Sequence, residues 1–241
     1  MSQVISYGLI AAFALVGGAS LGSYFKIKEK IIGTFMAFGA GTLIAALSFG
    51  LLEESYKLAG LSHTIWAFFL GGLVFVFGDY LIIRLGGRGH KDIYATDKTQ
   101  GFAIVLGAIL DGIPESLAMG VSLLVGKGLG FLMLVAIFLS NFPEGITSAY
   151  DLLKAGQTKS KIIGIWSLVA VSGFVFVILG YTLFGHIPQF ILGITEAIAA
   201  GALLAMVAST MMPEAYQESG LFVSLVTVLG FLVIFMLSKE A

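Results

Sequence analysis

A chain of 241 residues that is 58% hydrophobic and only 11% charged lacks the polar surface of a soluble globule, since soluble domains carry about 25% charged residues. Its net charge of −1 argues against a polyanionic partner, so no nucleic acid is expected, and the absence of cysteine removes disulfides, thiolate nucleophiles and thiolate metal sites. A mean hydropathy of +1.02 and 32 glycines point instead to helices packed within a lipid bilayer.

Crossing the hydrocarbon layer takes about 20 apolar residues in a helix. Eight stretches qualify, at 4–24, 31–52, 63–85, 101–125, 128–150, 161–184, 190–212 and 220–238. The first starts within MSQVISYGLIAAF, which lacks the basic start of a secretory signal and reads as a retained span. Lys26, Lys28 and Lys30 follow it. The second span ends at Glu53, Glu54 and Tyr56, a position suited to gathering cations or to an aromatic belt. The third carries Asp79 about one turn from Arg84, the spacing of a snorkelling ion pair. The longest polar connection, 86–100, holds Arg88, Lys91 and Lys98, and its Gly86, Gly87 and Gly89 lack the spacing of a phosphate loop. Lys154, Lys159 and Lys161 lie between the fifth and sixth spans. Glu196 opens the seventh span, where a carboxylate complements a helix N-terminus. Glu214, Tyr216 and Glu218 close that span.

The connections from odd to even spans hold ten Lys and Arg residues; the opposite side has only Lys57, Lys127 and Lys239. The positive-inside rule then puts those connections in the cytoplasm and both termini outside. The expectation is one all-α integral membrane domain, 1–241, in a multi-pass protein of a prokaryotic plasma membrane. Small-residue faces such as Gly18 and Gly22 allow close helix packing, within the chain or in a homodimer.

The chain repeats itself. AGTLIAALSFGLLEESY (40–56) aligns with AGALLAMVASTMMPEAY (200–216) at an offset of 160, and Gly60 aligns with Gly220. The second and seventh spans run in opposite directions, so three helices recur inverted around a central pair, a 3+2+3 arrangement. The pair also repeats: ILDGIPES (109–116) aligns with FLSNFPEG (138–145). Inverted repeats with interrupted helices near the midplane are a design of secondary transporters.

Pro114 and Pro143 each free the carbonyl four residues back, those of Leu110 and Leu139. Asp111 and Glu115 share a helical face at i and i+4, as do Ser140 and Glu144, with Asn141 at i−3 from Glu144. Each mid-span acid costs about 3 kcal/mol on insertion scales, so Asp111, Glu115 and Glu144 together cost on the order of 9 kcal/mol unless something compensates them. No Lys or Arg falls near the middle of a span to do so. Protonation, a wet cavity or a bound cation remain. The candidate metal ligands are Asp111, Glu115, Ser140, Asn141 and Glu144. Their oxygen donors suit Mn²⁺, Fe²⁺, Mg²⁺ or Ca²⁺. His63, His90 and His186 fall in loops or at span ends. Thr147, Ser148 and Asp151 continue from Glu144 toward the cytoplasm as an exit path.

With these motifs the whole chain resembles the ZIP (Zrt/Irt-like) metal transporters, which carry a motif like HNxPEG in helices four and five. Here the fourth reads Asp111-Gly112-Ile113-Pro114-Glu115-Ser116 and the fifth Ser140-Asn141-Phe142-Pro143-Glu144-Gly145. The resemblance implies uptake of a divalent cation of the zinc, iron or manganese class through a site bridged by Glu115 and Glu144, with the metal as cargo and no cofactor. Asp111 and Ser140 stand where the family has His, Gly112 where it has Asn, and VAVSGFVF (169–176) offers only Ser172 from the sixth helix. These departures imply an oxygen-only site and a second, adjoining site that is weak or absent. Protonation of Asp111 or Glu115 would accompany release. A degenerate member that binds metal as a sensor or scaffold is the alternative. No enzyme is expected: an intramembrane aspartyl protease would use Asp79 and Asp111, which helical rise places about 9 Å apart in depth.

Overall fold

The computed structural model describes residues 1–84, 99–126 and 128–240, with side chains from residue 107 onward in the fourth helix. The expectations for His90, the connection 86–98 and Lys127 fall outside these residues. Among the described residues the protein is all helical, with eight helices long and apolar enough to cross a membrane. They are α1 (Ser2–Tyr24), α2 (Glu29–Ala59), α3 (Leu61–Arg84), α4 (Thr99–Val125), α5 (Leu129–Lys154), α6 (Lys159–Phe184), α7 (Gln189–Ser219) and α8 (Phe222–Glu240).

Two helices outrun their apolar stretches. α2 continues past residue 52 through Glu53 and Glu54, and α7 continues past residue 212. Both change pitch on the way. Leu47–Leu52 of α2 and Val207–Met211 of α7 are π-helical, a rare geometry with i→i+5 hydrogen bonds. The two wide turns begin 160 residues apart, the offset of the sequence repeat. Each helix then stops at a glycine of positive φ, Gly60 (78°) and Gly220 (65°), a backbone state that a Cβ would oppose. Gly41 of α2 meets the Thr227 carbonyl of α8, and Gly201 of α7 meets the Phe68 carbonyl of α3. The inverted repeat is therefore structural, down to equivalent helix crossings.

By packing, the eight helices also group into two four-helix units. α1 lies along α5 and α6, and α4 lies along α6, so α1, α4, α5 and α6 form one four-helix unit. α2 pairs with α8 and α7 with α3, and α2 with α7 completes a second unit of α2, α3, α7 and α8. The units meet where α2 lies on α5 and α7 lies on α4. The central pair, α4 and α5, thus packs with α1 and α6. α3 and α8 present wide apolar outer faces, including Phe69, Phe77, Leu225 and Met236, as a lipid-facing layer requires.

The small-residue face on α1 is consumed inside the chain. Gly18 meets the Phe142 carbonyl, Gly22 meets the Ile146 carbonyl, and Gly145 of α5 meets the Leu15 carbonyl in return. Backbones touch there because no Cβ intervenes, the packing that membrane helices use when burial from water is not the driving force. These glycines consequently give no support to a homodimer.

At one end of the bundle the basic connections gather. Lys154 Nζ meets Glu29 Oε1 at 2.7 Å, Lys159 lies 4.5 Å above the Tyr24 ring, and Ser219 Oγ donates to the Lys30 carbonyl at 2.6 Å. The exposed ion pair adds little stability, but the contacts show that these helix ends share a side.

The α1–α5 crossing should be intolerant of added volume. Gly145→Leu is expected to lower the stability of the solubilised protein by about 1–3 kcal/mol, seen as a lower Tm in detergent. Gly164→Ala, where a Cβ meets nothing within 4 Å, should leave Tm unchanged or raise it.

Candidate metal centre

Helices α4 and α5 run unbroken through Pro114 and Pro143. The carbonyl that Pro143 frees, Leu139 O, is directed at α2, where a Cβ on Gly39 would approach it to 2.7 Å. That oxygen abuts the neighbouring backbone of α2. Past the proline, Thr147 Oγ1 donates to the Pro143 carbonyl at 3.1 Å and secures the next turn. Thr147 is buried and Asp151 exposed, so the polar residues after Glu144 lead from the interior to the basic end of the bundle.

The two helices are stitched together at Glu115. Its carboxylate is buried, and Ser140 Oγ lies 3.4 Å from Oε1. The contact is long because the same hydroxyl donates to the Ile137 carbonyl at 3.0 Å. The Asn141 side chain also hydrogen-bonds to Glu115, and the charge of Asp111, one turn earlier and buried, acts on it. Buried polar groups need such partners, and each one made fixes a rotamer.

A cavity with about 40 Å³ of internal room opens on this cluster, lined by Glu115, Asn141 and Glu144 among residues of α1, α4, α5 and α6. A space of that size holds water or a small ion. Three of the five expected ligands therefore share one cavity. Ser140 touches Glu115 without lining the cavity, and Asp111 acts on the cluster by its charge. Among the described residues, no three His, Cys, Asp or Glu side chains converge as a metal-binding group. A cation here would be held by carboxylate, amide and water oxygens, which suits a hard or borderline ion.

Other expectations resolve differently. Ser172, the polar residue that 169–176 of the sixth helix offers, donates to the Val169 carbonyl at 2.7 Å and does not line the cavity. Gly173 lines it instead, facing Ser116, where an added Cβ would come 3.1 Å from Oγ. Ser116 is the polar cavity residue that sequence reading passed over. It follows Glu115 directly, and successive helical residues point about 100° apart, so face-counting set it aside. His63 is not in the site: Nδ1 lies 3.0 Å from the Ala59 carbonyl and the ring packs edge-on to Phe190. Arg84, the partner expected for Asp79, also lies over the Tyr80 ring, 4.9 Å from its centroid. Gly78 and Leu110 touch, so α3 and α4 are neighbours near Asp79 and Asp111. Glu196 does not open a helix. α7 begins at Gln189, and Glu196 lies two turns inside it with no exposed surface.

Comparison with known proteins adds to this geometry. The sequence profile described as "ZIP Zinc transporter" matches residues 86–238. An Arabidopsis thaliana protein named "Putative zinc transporter" is 23% identical over 223 residues, covering 89% of this chain. The chain spans 36% of that relative's length. With eight membrane-crossing helices, an inverted repeat, paired Pro-Glu motifs and a profile match over more than half its length, the chain belongs to the ZIP family of membrane metal transporters.

Proposed function

We propose that the protein carries a divalent metal cation into the cytoplasm through the cavity at Glu115, Asn141 and Glu144. The observation that carries the reading is that cavity, which opens on two carboxylates from oppositely running, proline-containing helices. Glu115 and Glu144 supply charge, Asn141 supplies a neutral oxygen, and Asp111 adds negative potential from one turn away. The family name and the plant relative's name point to zinc. The lack of imidazole at the site favours a cation that accepts oxygen alone, so iron and manganese stay within the cargo class.

The packing supports a particular motion. The cavity is lined wholly by the unit of α1, α4, α5 and α6, which the glycine crossings of α1 on α5 hold together. That unit would move as a body against α2, α3, α7 and α8, so α4 and α5 do not rock alone. Alternating access by rigid displacement of one unit past another is the general scheme for inverted-repeat carriers. With the basic ends on the cytoplasmic side, the termini lie outside.

In proteoliposomes, Glu115→Ala and Glu144→Ala should each abolish uptake of Zn²⁺, Fe²⁺ and Mn²⁺. Full uptake by both variants would end this reading, and binding without uptake in the unaltered protein would favour the sensor alternative. Ser140→Ala should weaken cation binding by about tenfold, in the range seen when a ligand loses the hydrogen bond that orients it. Calorimetric titration would measure it, and an unchanged affinity would remove Ser140 from the site.

A further inference from the structure

The second helical unit holds an acidic group of its own. Glu196 of α7 has no exposed surface, and neither of its carboxylate oxygens has a hydrogen-bond partner. The charge that bears on it is that of Glu54, on α2. The register explains why. Gly193 lets α7 close onto α2 at Leu58 and Ala59, to 2.8 Å from a Cβ built there. One turn on along α7, and one turn back along α2, Glu196 comes opposite Glu54. Glu54 is 7% exposed and its neighbour Ser55 is fully buried. Ser55 Oγ lies 2.9 Å from Thr64 Oγ1 of α3, and Thr64 donates to the Gly60 carbonyl at 3.0 Å. That pairing ties the end of α2 to α3 beside Glu54. Lys57 lies 3.5 Å from Glu54 and 2.9 Å from the exposed Glu53, and the charge of Lys239 also reaches Glu53.

Two like charges facing each other in a low-dielectric interior repel strongly, and a buried carboxylate without partners is costly. Packing alone would have placed an apolar residue at position 196, as at the neighbouring Ala197. A divalent cation between the carboxylates would reverse the repulsion and fill the empty lone pairs of Glu196.

We propose that Glu196 and Glu54 bind a second divalent cation between α2 and α7. This station is distinct from the cavity at Glu115 and Glu144, to which neither α2 nor α7 contributes a lining residue. Its donors are oxygens only, so a hard or borderline ion such as Mn²⁺ is the fitting probe. It lies in the four-helix unit that lacks the central site. Under the carrier reading it would be a staging point on the opposite wall of the path; as a binding site it stands independently of transport.

The test uses the full chain in detergent with Mn²⁺ as the probe. The double variant E115Q/E144Q removes the central carboxylates. It should still retain a bound equivalent of Mn²⁺ by calorimetry and by elemental analysis after desalting. Adding E196Q should abolish that binding, and adding E54Q should weaken it by about tenfold or more. E196Q alone should keep the central equivalent. It should also raise the metal-free Tm, since the amide removes a buried charge while keeping the shape, which separates loss of binding from loss of fold. The proposal is overturned if E115Q/E144Q binds no Mn²⁺, or if its residual binding and its Mn²⁺-induced rise in Tm survive E196Q. A carboxylate that takes up only a proton would give the first of these results. Failure of the carrier reading is read separately, as uptake that persists without Glu115 and Glu144.

Discussion

Where α1 crosses α5, two backbones touch, and much of the rest of the structure depends on that contact. Gly18 and Gly22 on one helix and Gly145 on the other remove the side chains that would hold the axes apart. The crossing falls immediately beside Pro143 and Glu144, so the packing that fastens α1 to α5 also sets the rotation of α5 at the site. With that rotation fixed, Asn141 and Glu144 face a cavity shared with Glu115, while Leu139 O turns away toward Gly39 of α2. Lipid offers no hydrogen bonds to a misdirected carbonyl or carboxylate. Tight glycine contact and a polar cluster therefore occur together: one supplies the rigidity that the other needs.

The second organising fact is symmetry between halves that run in opposite directions. α2 and α7 share a wide turn, a terminal glycine of positive φ and a glycine crossing onto a neighbour, all at the same offset. Yet the symmetry is broken in chemistry. Glu196 has Met36 at its equivalent position, and Asp111 has Ser140. The scaffold repeats while the acids do not, which lets the two faces of one design hold different charges.

Spans, repeat and paired motifs were legible in the sequence because each rests on local rules: apolar length, Pro and Gly placement, and i, i+4 spacing. The helix ends were not. Glu53 and Glu54 look like a polar terminus, but α2 carries on because Glu53 pairs with Lys57 one turn later and Glu54 turns inward. The division into two four-helix units was also hidden. No periodicity along α1 or α6 says which helix it will lie against; that follows from glycine contacts made between distant segments. At the site, Glu115, Asn141 and Glu144 could be read from spacing, while Ser116 could not, since its access to the cavity depends on Gly173 of another helix leaving room. The depth of Glu196 was misread although its span was placed from residue 190: six residues of helix carry it nearly two turns inside, where packing against α2 buries it.

The wide turn at Leu47–Leu52 has a geometric consequence for everything that follows it. A π turn takes up one residue more than an α turn, and each residue of an α-helix accounts for about 100° of rotation. Beyond residue 52, then, α2 is phased as though a residue had been slipped into its thread. Glu54 and Ser55 are buried, Ser55 against Thr64 of α3, while Tyr56 and Lys57 face outward, in that shifted phase. Wound as a plain α-helix, the same residues would present a different edge to the protein interior. The inward aim of Glu54 is thus a property of pitch, set in a turn that ends two residues before it.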